Sequence, residues 1–415
     1  CQYAVGVIMT KFLPIAPKRP RKKKWLRVLI VLLVFVCLLC TGGGVLPART
    51  ATSEEEAAME ELEKQIDELL ASLDTEELQA YLDTLSEFKG TSVKEKLLGL
   101  ITGDYALDYG SLSQSILSFI WEEWRTFLAA FAVILAVALL CGVLNSVKNG
   151  FLHSTMSDII HFVGYISVGA VVLSCLMSVL NSGYSTVQAM RKQMEIVYPL
   201  LLTLMAASGG AVSAQVYRPA VAFMSGAICE LFASVVMPTS VIVIVLAFVG
   251  NLSQDVRTEK LGDFFKSVSK WLIGFSLGLF SLFLTVQGIT SAQYDGMSLR
   301  AAKYVISGSV PIVGGFLSGG VEVVLAGSAL IKNALGSFSI FLLVTTILRP
   351  VILFAVFQLF LRLSAAATEP VGGKISSFLS RLAQDSGYFL ASVLCVAFLY
   401  FLTLLLLIFS SGVIL

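Results

Sequence analysis

Two stretches of this 415-residue chain share one plan: a proline, a Ser-Gly-Gly triplet, a second proline 39 residues after the first, and a basic amphipathic segment, all inside apolar sequence. The first runs from Pro199 through Ser208-Gly209-Gly210 to Pro238, then to Lys260 and Phe264. The second runs from Pro311 through Ser318-Gly319-Gly320 to Pro350, then to Lys374 and Phe378. Broken apolar segments at corresponding places in two halves are typical of helical membrane transporters and channels. Composition agrees: 56% of residues are hydrophobic, only 14% are charged, and the mean hydropathy is +0.85. Soluble domains carry about a quarter charged residues, so most of this chain belongs in lipid.

The net charge of +1 conceals an asymmetry. Eight basic and no acidic residues fall between Lys11 and Arg27, whereas Glu54 to Asp104 carries a net charge of −11. The basic run abuts the apolar stretch Val28 to Cys40, whose 13 residues are too few to span as a helix. It reads as a signal segment from Met9, either cleaved near Ala48 to Ala51 or kept as an anchor. A basic run of this kind is no nucleic-acid footprint. The acidic block reads as two amphipathic helices. One carries Met59, Leu62, Ile66 and Leu69; the other opens with the capping box Asp74 to Glu77 and carries Leu78, Tyr81, Leu82 and Leu85. They form either a small solvated helical domain or a docking surface for a partner or for the chain's own membrane part.

Ser111 to Trp124 reads as an interfacial helix, with Trp121 and Trp124 at the headgroup level. Three helical hairpins follow, with spans at Thr126–Asn145 and Ile159–Asn181, Ile228–Leu252 and Trp271–Thr290, and Phe338–Leu363 and Tyr388–Phe409. Their connections carry Lys148, Arg257, Lys260, Lys266, Lys270, Lys374 and Arg381, which places them in the cytoplasm by the positive-inside rule. An even number of crossings must then separate successive hairpins. Short arms broken at each Ser-Gly-Gly supply it as re-entrant helical hairpins, with pairs of full spans as the alternative, and Pro238 and Pro350 are expected to kink the spans that follow. The expected fold is all-α: a polytopic helical membrane protein with an internal parallel repeat, about six spans plus two re-entrant hairpins, and a small N-terminal extracytoplasmic region. Its organisation is signal peptide or anchor at 9–51, acidic helical region at 52–110, interfacial helix and first transmembrane hairpin at 111–183, and membrane repeats at 184–291 and 292–415.

No Ser-His-Asp set, phosphate loop or metal-ligand cluster is present, so no catalytic, cofactor or metal site is expected. The only histidines, His153 and His161, lie near Asp158 and read as a cap at the start of a span. Ionisable and polar groups at membrane depth are costly, which singles out Gln215, Arg218, Glu230, Glu322 and Lys332 as conduit or packing residues. Glu322 follows the second Gly-Gly, and Lys332 lies ten residues on. The glycine-rich tips allow close helix approach, in a monomer or a homo-oligomer alike.

Tyr198-Pro199 leading to Ala207-Ser208-Gly209-Gly210, Lys332-Asn333-Ala334-Leu335-Gly336, and Thr368-Glu369-Pro370 before Ser376-Ser377-Phe378-Leu379 resemble the stage III sporulation protein AE family. The resemblance implies a multi-pass protein of the mother-cell membrane surrounding the forespore, with its acidic region in the intermembrane space. It also implies a non-enzymatic role alongside other membrane and ring-forming proteins of one sporulation operon and a secretion-type ATPase. Together these would form a secretion-like complex that supports transport to the forespore and late forespore gene expression. A permease-like core is the first expectation; an assembly platform and an independent ion-coupled carrier are the alternatives.

Overall fold

Runs of apolar, unbranched residues with few internal breakers favour long helices, and the computed structural model is built almost wholly from them. It describes residues 75–84, 92–102, 109–151, 154–252, 258–309, 314–370 and 373–410, among which there is no strand. The signal-like segment lies outside these residues, as do the side chains of 314–324, Asp158 and His161. In chain order the helices are α1 (Glu76–Thr84), α2 (Val93–Thr102), α3 (Tyr109–Phe151), α4 (Ser154–Ala207), α5 (Ala211–Phe223), α6 (Met237–Leu252), α7 (Glu259–Ser309), α8 (Gly314–Thr368), α9 (Gly373–Asp385) and α10 (Gly387–Phe409). Five described segments are long and apolar enough to cross a membrane: Leu117–Cys141, Phe162–Ala207, Ala211–Gly250, Leu325–Thr368 and Ile375–Phe409.

The first Ser-Gly-Gly is a true reversal. Gly210 N–H donates to the Met205 carbonyl at 2.9 Å and Gly209 N–H to the Ala206 carbonyl at 3.2 Å, while Gly209 takes φ 92°. This is a Schellman ending with glycine at the left-handed position, which satisfies carbonyls that the helix end leaves open. The second triplet behaves differently. The helix α8 begins at Gly314, so Ser318, Gly319 and Gly320 lie inside its opening turns rather than at a break. The expected hairpin tip there is therefore corrected: a glycine inside a helix costs only about 1 kcal/mol against alanine, and the apolar residues that follow sustain the helix.

Residues 182–198 lie between the expected span ending at Asn181 and the expected hairpin arm from Pro199. They are an uninterrupted part of α4, a helix of 54 residues that also runs through Pro199. Nothing between Asn181 and Ala207 forces the chain out of helical geometry until Gly209 does so.

The two predicted kinks also differ. Between α5 and α6 the helix passes through a π turn at Met224–Ile228, one α turn at Cys229–Leu231 and a second π turn at Phe232–Val236, which ends just before Pro238. A proline removes the N–H that would bind four residues back, and a widened turn accommodates the loss. Pro350 lies buried within α8, which continues as an α-helix on both sides.

The core sits where α8 meets α3, α4, α9 and α10. Phe127 of α3 stacks on Phe360 at 5.3 Å, Phe354 on Phe389 at 5.4 Å, and Tyr198 meets Tyr400 edge-on at 5.6 Å. At the other end of α4, Tyr165 meets Phe378 of α9 at 4.8 Å. Phe378 is 1% exposed, whereas its sequence counterpart Phe264 on α7 is 60% exposed, in line with exposed Trp271, Phe275 and Leu282. The helix α1 of the acidic region packs on α4 with Leu78, Tyr81 and Leu82 buried. The helix α2 lies against α8 with Lys96 Nζ 5.9 Å from the Phe338 ring centroid.

Candidate functional site: a charged ridge on the α4–α5 hairpin

Antiparallel packing of α4 on the returning helix sets residues 191 to 203 opposite 230 to 218. Arg191 therefore meets two carboxylates: its Nη1 lies 2.7 Å from Glu230 Oε2 and its Nε 3.0 Å from Glu195 Oε1. Glu230 sits in the single α turn between the two π turns. π turns often occur where a side chain is aimed for function, and here they direct Glu230 across to α4. An exposed pair of this kind stabilises by only about 0–1 kcal/mol, so its spacing contributes more to surface character than to stability.

Further toward the Ser-Gly-Gly tip the same two helices enclose a groove of about 360 Å³. Met194, Leu202 and Val221 form its apolar walls, while Glu195, Thr203 and Arg218 are polar. Gln215, one turn closer to the tip, is exposed like Arg218. Gln215, Arg218 and Glu230, picked from sequence as isolated polar groups, thus share one ridge with Arg191 and Glu195.

Lys332 does not belong to that ridge. It is 1% exposed, and its Nζ donates to the Ile408 carbonyl at 2.8 Å. The last carbonyls of α10 have no partner within their own helix, and a cation suits the negative end of the helix dipole. One turn along α8, Gly336 leaves room for Ile408, whose Cγ1 would come within 2.4 Å of a β-carbon there. Lys332 and Gly336, the two ends of the Lys-Asn-Ala-Leu-Gly motif, together seat the end of α10. That is a packing role for Lys332. The Glu322 side chain, the other candidate of this segment, lies outside the described ones.

Two further polar clusters have no isolated sequence signal. Gln193 Nε2 donates to Tyr81 Oη at 3.0 Å and to Thr346 Oγ1 at 2.7 Å, tying α1, α4 and α8 together. Burial raises the Tyr81 phenol above its ordinary value. Near the start of α7, Lys266 lies 2.9 Å from Asp385, and Arg381 lies 2.8 Å from Glu259, around a pocket of about 280 Å³. These pairs join α7 to α9, the two basic segments that the repeated sequence plan set in parallel. Among the described residues no group of His, Cys, Asp or Glu is arranged to hold a metal ion. Cys141, Cys175, Cys229 and Cys395 are free thiols.

Residues 91–411 match the family model described as stage III sporulation protein AE. The chain is 24% identical over 379 residues to the stage III sporulation protein AE of Bacillus subtilis (strain 168), an alignment covering 90% of this chain and 95% of that protein. No solved structure matches.

Proposed function

This chain belongs to the stage III sporulation protein AE family, and from that premise we propose that it is the permease-like membrane core of a sporulation channel or secretion-like complex. In this reading it sits in the mother-cell membrane around the forespore, with its acidic region in the intermembrane space. Its partners are the other membrane and ring-forming proteins of the same operon and a secretion-type ATPase, and its role is non-enzymatic. It supports transport to the forespore and, through it, late forespore gene expression.

One observation carries the form of this proposal: among the described residues large aromatic side chains fill the interior, while the charged cluster on α4 and the returning helix lies on the outside. Tyr198, Phe232, Phe354, Phe357, Phe389 and Tyr400 are all buried in the interior. Arg191, Glu195, Arg218 and Glu230 line an outer face. In this reading a polar path forms between chains and is entered along this ridge. Charged residues in such proteins mark pathways or assembly contacts. The test is to make Arg218→Glu and Glu230→Arg, score complex assembly by co-purification, and follow a late forespore reporter. Assembled complexes with lost reporter expression support a conduit lined by the ridge; normal expression in both variants removes it.

A platform reading draws on a different feature. The helix α1 is fixed to α4 through Tyr81 and Gln193, which turns Glu76, Glu77 and Asp83 toward the surrounding medium as a docking face. Loss of ring-protein co-purification on neutralising those three would favour it. Transport by the purified chain alone in vesicles would instead favour an independent ion-coupled carrier.

A further inference from the structure

The helices of this chain outrun a bilayer. A hydrocarbon core of about 30 Å takes about 20 helical residues, whereas α4 has 54, α7 has 51 and α8 has 55. At 1.5 Å per residue, α4 alone is about 80 Å long. Roughly half of it must leave the hydrocarbon, and its exposed face shows which half.

On the first part of α4 the exposed side chains include Ile159, Phe162, Val163, Ile166 and Met177. From Asn181 onward they are Asn181, Ser185, Gln188, Lys192, Glu195 and Thr203, with only Pro199 and alanines among them. The returning helix makes the same change in reverse. Gln215, Arg218, Glu230 and Ser234 are exposed first, then Val235, Ile242, Val245 and Val249. Between Met177 and Val235 no large apolar side chain is exposed. A face in contact with acyl chains is apolar, and charged side chains there cost several kcal/mol each, about 2.5–3.5 at the centre on insertion scales. In the register that sets Arg191 opposite Glu230, the two arms switch within about six residues, roughly 9 Å, of each other, close enough for one bilayer boundary.

A second observation is independent of exposure. The acidic region meets α4 within this polar half: Tyr81 bonds Gln193, and Lys192 Nζ lies 5.7 Å from the Tyr81 ring centroid. The helix α1 that does so carries Glu76, Glu77 and Asp83 and is suited to water.

We infer that the α4–α5 hairpin from Asn181 to Ser234 stands out of the bilayer on the extracytoplasmic side as a water-facing head, with the Ser208-Gly209-Gly210 turn about 40 Å beyond the boundary. The bilayer contacts α4 over Ile159–Met177 and α6 over Val235–Val249. This replaces the expected first re-entrant hairpin, because the segment needs no lipid to cover it and offers none a matching surface. The apolar exposed face of α7 from Trp271 to Leu282 runs beside the hairpin, so the water-facing surface is its α4–α5 side. The conduit or platform proposed above would then meet its extracytoplasmic partners on this head, and that consequence rests on the family reading.

Single cysteines at Glu195, Thr203, Gln215 and Arg218, and at Ile166 and Val245 as lipid-facing references, test the assignment in the otherwise cysteine-free full chain. Cells presenting the extracytoplasmic face are treated with a membrane-impermeant maleimide carrying a polyethylene glycol chain of about 5 kDa. All four head positions are expected to shift in mass and both references to stay unmodified, before any detergent is added. Reaction of the head positions with a small impermeant maleimide alone would mean a narrow re-entrant cavity and would overturn the inference; so would reaction only from the cytoplasmic side or only after solubilisation. If a head variant fails to accumulate, the alanine-exposed position Ala222 serves in its place. Reporter expression in the forespore does not enter this readout, so the head and the transport role fail separately.

Discussion

Glycines at opposite ends of the packing scale give substitutions of opposite sign. Gly183 of α4 faces Phe389 of α10: a β-carbon there would lie 2.3 Å from Phe389 Cε1, 3.0 Å from Cζ and 3.4 Å from Val393 Cγ2. Phe389 has nowhere to turn, being fully buried, stacked on Phe354 at 5.4 Å and edge-on to Tyr184 at 5.7 Å. Overpacking of this kind costs about 1–3 kcal/mol, while replacing glycine by alanine in a helix returns about 1 kcal/mol. Gly183→Ala should therefore lose up to about 2 kcal/mol net and push α4 from α10. At Gly274 and Gly278 of α7 an added β-carbon meets nothing within 4 Å, so alanine at either should gain up to about 1 kcal/mol. Thermal unfolding of the detergent-solubilised chain, followed by size-exclusion recovery, reads both signs. Shortening the ring in Gly183→Ala/Phe389→Leu should recover part of the loss, with a coupling above about 0.5 kcal/mol. If Gly183→Ala is as stable as Gly274→Ala, the close approach of α4 to α10 is wrong, and with it the placement of the hairpin that α4 carries.

Other substitutions probe the polar contacts. Lys332→Met removes a bond from a charged donor to the Ile408 carbonyl, a contact worth about 1.5–3 kcal/mol, and hydrogen exchange in the last turn of α10 should rise selectively. Asp385 is 8% exposed beside Lys266 whereas Glu259 is 71% exposed beside Arg381; Lys266→Met should cost about 3–5 kcal/mol by leaving a buried carboxylate unpaired, and Arg381→Met at most about 1, compared by melting in the same detergent. Burial holds Lys96 below its ordinary value, so the fold disfavours the ammonium. Stability should accordingly rise as pH climbs from that depressed value toward the unfolded lysine range near 10.5, and Lys96→Met should flatten this part of a stability profile.

What could be read from sequence was what local chemistry decides. Apolar composition gave an all-helical membrane class, and Ser208-Gly209-Gly210 gave a reversal because a Schellman ending needs only its own glycine. The identical triplet at Ser318 lies inside α8, since three residues alone do not choose between a turn and a helix. Continuity of α4 was hidden for a related reason: an apolar segment looks the same whether its inner face packs on lipid-embedded helices or on other protein. Only the exposed face separates Met177 from Asn181 in kind. Arg218 and Glu230 were visible as costly groups, but their company was not, because Arg191 reaches Glu230 across 39 residues of sequence. Lys332 stood out in the sequence as a conduit or packing residue, but its bond to a main-chain carbonyl 76 residues away leaves no mark in side-chain pattern.

The most direct test is an image of the full chain in a lipid nanodisc, with an antibody fragment bound to an epitope inserted at Gly209 to mark the hairpin tip. A helical protrusion about 40 Å tall on one face of the disc, capped by the fragment and on the side of the acidic region, is the predicted result. Protein density confined to within about 10 Å of both faces, with the fragment unable to bind until the bilayer is removed, would contradict it.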